Sequence, residues 1–301
     1  MAISLNDHAL GKTGQFIAAC RTVEFDKSPE TRKFSDPWAR NFATEGGMEL
    51  ARRVAEESSM SLQDLANIVT ARTCFLDDVV NRAVSKETPK IRQVVIAAVG
   101  GDARPYRMHF PDDVVVFEMD FPDVMKFRSK IFTDAHARPT CDLRSIEVDL
   151  SKDGWVEALE AAGFKSSEPS VWTTEGLLMY LPDEECKKFV SQIAALCTPD
   201  SVLCGDVIGQ QVFNCAALAG FNKVWTDFGA ALACSAIDDP KAYLTQFGFD
   251  ATVKIYQDLV VEFDLGYSSA GPLTRPKQEE EKKDGEEVPP PLNSYFVAIK
   301  V

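Results

Sequence analysis

The sequence predicts an α/β fold on a mostly parallel sheet, and three observations carry that prediction. From residue 91 onward, short apolar runs alternate with helix-length segments, which is the order of strand–helix–strand units. The first run, Val94–Val99, is continuously apolar, the pattern of a strand buried on both faces. The first two runs end in polar clusters, Gly100-Gly101-Asp102 and Glu118-Met119-Asp120. In open α/β sheets, ligands bind outside the carboxyl ends of the strands.

The elements follow in order. Residues 1–90 read as a largely helical cap, part of the same domain, covering the strand tips like a lid; residues 91–301 read as the sheet core. Val94–Val99 is the first strand and Val114–Asp120 the second. Pro122–Phe132 is a helix, with Pro122 in the first turn, where its missing N–H costs nothing. Leu143–Leu150 is the third strand, and Gly154–Gly163 a helix ended by Gly163. Ser170–Glu175 is the fourth strand. Asp183–Cys197 is an amphipathic helix, opened by Pro182 and a cluster of acids. Ser201–Gly209 is the fifth strand and Asp239–Phe247 a helix. Ala251–Leu259 and Ser294–Val301 read as the last two strands, paired at the sheet edge. The charged, proline-rich stretch at about 271–293 buries too little apolar surface to order itself and reads as a mobile insertion.

Composition narrows the function. The net charge of −14 disfavours nucleic acid, whose phosphates require Lys/Arg clusters, and an anionic membrane surface. No apolar run approaches the roughly 18 residues of a membrane span, and the N-terminus lacks a signal-peptide pattern. Three histidines and eight scattered cysteines without C-x-x-C give no zinc spacing. No metal is expected. The thiols read as reduced, in a cytoplasmic protein, with Cys197, Cys204 and Cys215 as small core fillers.

The strand tips point to a nucleoside. Glycines at Gly100 and Gly101 let backbone approach a ligand. Asp120, at the second tip, is placed to accept hydrogen bonds from vicinal ribose hydroxyls. A pyrophosphate loop requires G-x-G-x-x-G leading into a helix. Here the turn reads "AAVGGDARPYRM", with no third glycine and with Asp102 where phosphate would sit. An aspartate repels pyrophosphate and tolerates a sulfonium and an α-ammonium. The charge pattern therefore favours S-adenosylmethionine over a nicotinamide dinucleotide.

Five blocks, "TARTCFLDD" (Thr70–Asp78), "VVIAAVGGDARPYRM", "VVFEMDFPDVMKFR" (Val115–Arg128), "VDL" (Val148–Leu150) and "WTTEGLLMYLPDEE" (Trp172–Glu185), resemble the leucine carboxyl methyltransferase-like family in order and spacing. The resemblance runs from about Thr13 to the C-terminus. It implies the class I methyltransferase (Rossmann-like) fold: a seven-stranded, mostly parallel sheet with helices on both faces and a final antiparallel strand. It implies S-adenosylmethionine as cofactor and S-adenosylhomocysteine as product. Carried over, Arg72 would hold the cofactor's carboxylate, as bidentate geometry allows. Gly100 would pass under its methionine part, and Asp120 would take the ribose hydroxyls. Asp149 and the backbone of Leu150 would meet the adenine edge. Glu175 would lie near the ammonium or the transfer centre. Tyr180 would line the pocket, and Arg21 offers a basic residue from the N-terminal helix.

Two departures stand out. The family reads L-G-x-G-x-D-x-R, and Ala98 replaces its first glycine. Arg128 stands where lysine is frequent, keeping charge but not geometry; it is expected to brace the second strand–helix unit. Asp102, Arg104 and Arg107 are expected to form ion pairs that brace the loop.

Methyl transfer to a carboxylate needs no base, whereas an alcohol or phenol needs one. No histidine falls in the five blocks, so no catalytic residue is named and the sequence leans to a carboxylate or hydroxyl oxygen of a small molecule. The acceptor is expected against Asp206–Leu232, where Phe213, Phe221, Trp225 and Phe228 suit an apolar compound. The alternatives are a protein C-terminal carboxyl methyltransferase and an inactive module of the same fold used for interaction. The oligomeric state is not read from the sequence.

Overall fold

A computed structural model describes residues 9–58, 60–85, 87, 90–213, 219–227, 233–265 and 294–301. The insertion expected at 271–293 and the side chains of Phe213, Phe221 and Phe228 lie outside the described residues. So does Cys215.

Three helices lead the chain: α1 (Ala9–Phe25), α2 (Ala39–Glu57) and α3 (Leu62–Ser85). The sheet follows, with β1 (Gln93–Ala97), β2 (Val115–Asp120), β3 (Asp142–Glu147), β4 (Ser170–Thr174), β5 (Val202–Val207), β6 (Phe249–Ile255) and β7 (Ser294–Lys300). Between strands lie α4 (Arg104–Arg107), α5 (Pro122–Asp134), α6 (Trp155–Ala161), α7 (Asp183–Leu196), α8 (Gln210–Phe213), α9 (Ala219–Asp227), α10 (Pro240–Thr245) and α11 (Tyr256–Glu262).

The strand order is β3-β2-β1-β4-β5-β7-β6. Every pairing is parallel except those of β7 with β5 and with β6. The chain begins at the centre, steps out to β3, then returns to the other side of β1. That reversal between β1 and β4 opens a crevice at their carboxyl ends.

Burial follows the pattern of the runs. β1 and β4 are buried at every residue, as continuous apolar composition requires. Edge strand β3 is mostly exposed and charged, which discourages pairing with another chain. One face of the sheet packs Phe117, Trp172 and Leu203 against Trp155 of α6, Phe189 and Ile193 of α7 and Leu244 of α10. The other face packs Val94, Ile96 and Val116 against Phe75, Leu76 and Val80 of α3 and Leu259 of α11. A third cluster joins α1, α2 and the first half of α3 to Phe132 of α5 and Trp225 of α9. Helix α3 therefore belongs to two layers: Leu65 and Val69 pack under the cap, and Phe75 onward covers the sheet. Cys197 and Cys204 are buried. Among the described residues, no helix is long and apolar enough to cross a membrane.

One expected strand divides. Where Ala251–Leu259 reads as a single run, β6 ends at Ile255 and α11 begins at Tyr256. Asp258 supplies the break, its Oδ2 accepting the Ile255 amide at 2.9 Å, as an acid in a first helical turn does. Tyr256, Leu259 and Val260 then fall on one buried face, while Val261 is 70% exposed. The third run also stops early, at Glu147, which frees Val148 and Leu150 to turn toward the crevice.

Close contact between β4 and β5 depends on Gly205. A Cβ there would lie 2.8 Å from the Thr174 carbonyl oxygen, which neither strand can move without breaking its ladder. Gly205→Ala is expected to destabilise the protein by about 1–3 kcal/mol, read from the urea unfolding midpoint; an unchanged midpoint would contradict this packing.

Candidate cofactor site

The crevice opens where β1 ends. Ala98 leaves the strand at φ 54° and Gly100 follows at φ 48°. The left-handed region costs an alanine about 1–2 kcal/mol, so the loop must be held from outside. The holding group is Arg128. Its guanidinium, 1% exposed, donates Nη1 to the Gly100 carbonyl at 2.8 Å and to the Asp102 carbonyl at 2.7 Å. Its Nη2 donates to Glu118 at 2.6 Å. Arg128 thus ties α5 and β2 to the loop after β1, the bracing part expected of it. Gly101 sits against Arg21 and Phe42, 3.2 and 3.3 Å from where a Cβ would be.

Asp120 ends β2 beside this loop and is buried. One carboxylate oxygen accepts the Gly100 amide and the other the Phe121 amide, both at 2.7 Å. Burial raises its pKa against the pull of those two amides. A carboxylate oxygen has more than one acceptor site, so Asp120 retains capacity for a ligand hydroxyl.

Beneath the loop lies a buried ion network. Arg72 of α3 donates Nε to Glu175 at 2.9 Å and Nη1 to Asp206 at 3.1 Å. Glu175 accepts Arg104 Nη1 at 2.8 Å on its other oxygen. Arg104 also pairs with Asp102 and, through Nε at 2.7 Å, with Asp77, which Arg107 grips with both terminal nitrogens. Asp206 closes the β4 tip by accepting the Gly176 amide at 2.7 Å. Burial opposes the charge on Glu175, yet the Arg104 and Arg72 guanidiniums hold its carboxyl well below the ordinary range. Burial likewise opposes the charges on Asp77 and Arg72. Arg107 and Arg104 keep Asp77 low, and Asp206 and Glu175 keep Arg72 high. Three guanidiniums thus face four carboxylates, and Asp120 adds a fifth nearby. The excess is negative.

These groups border one cavity of about 690 Å³, within the range of about 300–1,000 Å³ typical of small-molecule sites. Of the residues predicted from sequence, Arg21, Arg72, Gly100, Asp120, Leu150, Glu175, Tyr180 and Trp225 line it. Asp149 does not. Its carboxylate accepts the Ser151 amide at 3.0 Å and hydroxyl at 2.6 Å and pairs with Lys152, so a short turn holds it away while Leu150 and Ser151 face inward. Arg21 reaches the loop directly, donating to the Gly101 carbonyl at 2.6 Å and pairing with buried Asp36. Tyr180 is hydrogen-bonded to the side chains of Thr13 and Trp225.

Several groups carried no weight in the sequence reading. Asp206 interrupts the fifth apolar run one residue before β5 ends, and a lone acid inside such a run is the signal that could find it. Asp77 lies in the "TARTCFLDD" block, with no local cue to its partners. Tyr295, at the start of β7, lines the cavity from far along the chain and has no sequence signal. Among the described residues, no cluster of His, Cys, Asp and Glu could hold a metal ion.

The set suits S-adenosylmethionine. A glycine-paved loop leaves room for backbone contact, an acidic tip offers acceptors to a diol, and the negative excess complements a sulfonium and an ammonium. The Val148, Leu150 and Phe121 side of the cavity offers apolar walls to a base.

Known proteins agree with that fit. A family model described as leucine carboxyl methyltransferase matches residues 15–194. A protein of Mycolicibacterium paratuberculosis named "Putative S-adenosyl-L-methionine-dependent methyltransferase" is 32% identical over 276 residues, covering 86% of this chain and 89% of its own. One of Mycolicibacterium vanbaalenii under the same name is 36% identical over 208 residues, 65% of this chain and 66% of its own. Among solved structures, a DUF574 family protein from Streptomyces avermitilis superposes with a TM-score of 0.56 at 12% identity, covering 94% of this chain and 97% of its own. That likeness is one of fold.

The network sets an acid limit. Glu175 and Asp77 have depressed folded values, so the stability they contribute is complete above their ordinary values of 4.5 and 3.8. It is lost as pH falls through the depressed ones. Glu175→Gln is expected to cost about 3 kcal/mol or more at neutral pH, because two buried guanidiniums lose a counter-charge. The gap to wild type should narrow toward about pH 3, measured by denaturant unfolding across that range. Parallel stability curves for the two proteins would contradict the network's role.

Proposed function

The chain belongs to the leucine carboxyl methyltransferase family and is an S-adenosylmethionine-dependent methyltransferase, and from that premise we propose that it methylates a carboxylate or acidic hydroxyl oxygen of an apolar small molecule. The observation that carries this reading is the state of the acids and bases around the cavity. Among the described residues that line it there is no histidine and no lysine. Asp120 is engaged by two amides, Asp102 by Arg104 and Glu175 by Arg72 and Arg104. Glu185 also lines the cavity and is exposed to solvent. A nucleophile that arrives already ionised suits such a site, because the buried acids are engaged and the remaining carboxylate, Glu185, is exposed to solvent. The remaining walls are apolar, with Phe16, Ile68, Met179, Ile208, Val212 and Trp225, and they favour an apolar acceptor.

In this reading the cofactor residues divide the work. Arg72 and Arg21 receive the amino-acid carboxylate. A guanidinium has five N–H donors, so the two ion pairs of Arg72 leave donors for it. Glu175 meets the ammonium, Gly100 gives close backbone approach, and Asp120 takes the ribose hydroxyls. The adenine edge falls to the backbone at Leu150, since the Asp149 carboxylate is turned into its own loop. When bound, S-adenosylmethionine supplies an electrophilic methyl group on a positively charged sulfur. The protein's part is to orient the acceptor behind that methyl and keep water out, a task to which Phe16 of α1 and Leu65 and Val69 of α3 bring apolar lining.

Two measurements test the proposal. Incubation with methyl-labelled S-adenosylmethionine and a panel of apolar carboxylic acids, phenols, amines and thiols should label a carboxylic acid or a phenol acidic enough to be ionised at the assay pH; label confined to amines or thiols would contradict it. Asp120→Ala should weaken cofactor binding by about 1–3 kcal/mol in isothermal titration, and unchanged affinity in a folded variant would remove Asp120 from the site.

A further inference from the structure

Tyr295 presents a polar atom that nothing in the fold uses. Its side chain is wholly buried, and its hydroxyl has no hydrogen-bond partner. It nonetheless lines the cavity. An unsatisfied buried hydroxyl is costly, and a phenylalanine would fill the same space beside Phe75, whose ring lies 6.1 Å away.

Tyr295 stands apart from the residues assigned to the ribose and the base, and beside the Arg72, Glu175 and Asp206 charges at the amino-acid end of the site. Gly100 follows β1, Asp120 ends β2 and Glu175 follows β4. Tyr295 stands on β7 opposite Asp206 of β5, beyond β4 in the strand order. It is thus displaced along the sheet, on the side away from the ribose-facing tip.

We propose that the Tyr295 hydroxyl is the donor that positions the acceptor's oxygen for methylation; this rests on the oxygen-methylating reading above. Burial and the neighbouring Asp206 carboxylate push the phenol's pKa up, so it keeps its proton and orients rather than deprotonates. It is a binding group for an oxyanion, not a base. A carboxylate acceptor would give one oxygen to Tyr295 and present the other for attack.

Tyr295→Phe is the test, in the full chain and beside wild type. The unliganded variant should melt at or above the wild-type temperature, since it loses an orphaned hydroxyl. Its affinity for S-adenosylhomocysteine and its KM for S-adenosylmethionine should be unchanged. For the acid or phenol that wild type methylates best in the panel, KM should rise roughly tenfold. A lower melting temperature would mean that the hydroxyl is bonded within the protein and would overturn the proposal. Weakened S-adenosylhomocysteine binding would make the hydroxyl a cofactor contact and would overturn it equally. An unchanged acceptor KM would overturn the proposal while leaving oxygen methylation standing. Failure of wild type to methylate any acid or phenol would sink the oxygen reading and this assignment with it.

Discussion

The structure depends on one buried contact, the grip of Arg72 and Arg104 on the two oxygens of Glu175. It joins three parts of the chain far apart in sequence: helix α3, the loop after β1 and the tip of β4. Each of these parts is awkward alone. Helix α3 carries a guanidinium into an apolar interior, the loop contains an alanine in the left-handed region, and β4 runs into a mostly buried acid, Glu175. A buried charge without a partner costs several kcal/mol. Together the three charges satisfy one another, and Asp77 and Asp206 complete the set. Such a network adds little net stability compared with an apolar core. What it does here is fix the strand tips in one arrangement around an open cavity.

The sign of the network's excess charge connects fold to chemistry. A loop of glycines at a strand tip serves phosphates when helix N-termini and cations dominate. Here carboxylates outnumber guanidiniums in the network, and Asp120 adds to the imbalance. The helix that follows, α4, is a single turn. The crevice is therefore suited to a ligand that brings positive charge, and S-adenosylmethionine brings two such groups. The same excess disfavours an acidic acceptor at long range. In the proposed reaction the acceptor's oxygen must therefore be held by short, directed donors rather than by the field.

Much of this was legible in the sequence because it rests on local pattern. β1, β2, β4 and β5 are short apolar runs bounded by turn residues, and their tips announced themselves through Gly100, Asp120 and Glu175. The strand number and the antiparallel β7 follow from the family resemblance, whereas the strand order appears only in the fold, since no local signal encodes which strands are neighbours. What failed did so for identifiable reasons. Tyr256–Leu259 is rich in residues that serve strand and helix alike, and only the Asp258 cap distinguishes them. Asp149 sits in the expected block, and the hold of Ser151 on its carboxylate shows only in three dimensions. Ala98 marked a departure from the family pattern, but the means of tolerating it, Arg128 clamping two carbonyls, appears only in three dimensions. The partners of Arg72 were beyond reach, because Asp206 lies 134 residues away.

The central claim is that a nucleoside carrying positive charge lies across the tips of β1, β2 and β4, above the Glu175 network. A crystal structure of the protein soaked with S-adenosylhomocysteine tests it most directly. The account predicts ribose hydroxyls on the Asp120 carboxylate, the base against Leu150, and the amino-acid end between Arg72 and Glu175, with the Arg104–Glu175 contact intact. A ligand seated elsewhere, or one that enters only by breaking that contact, would contradict it.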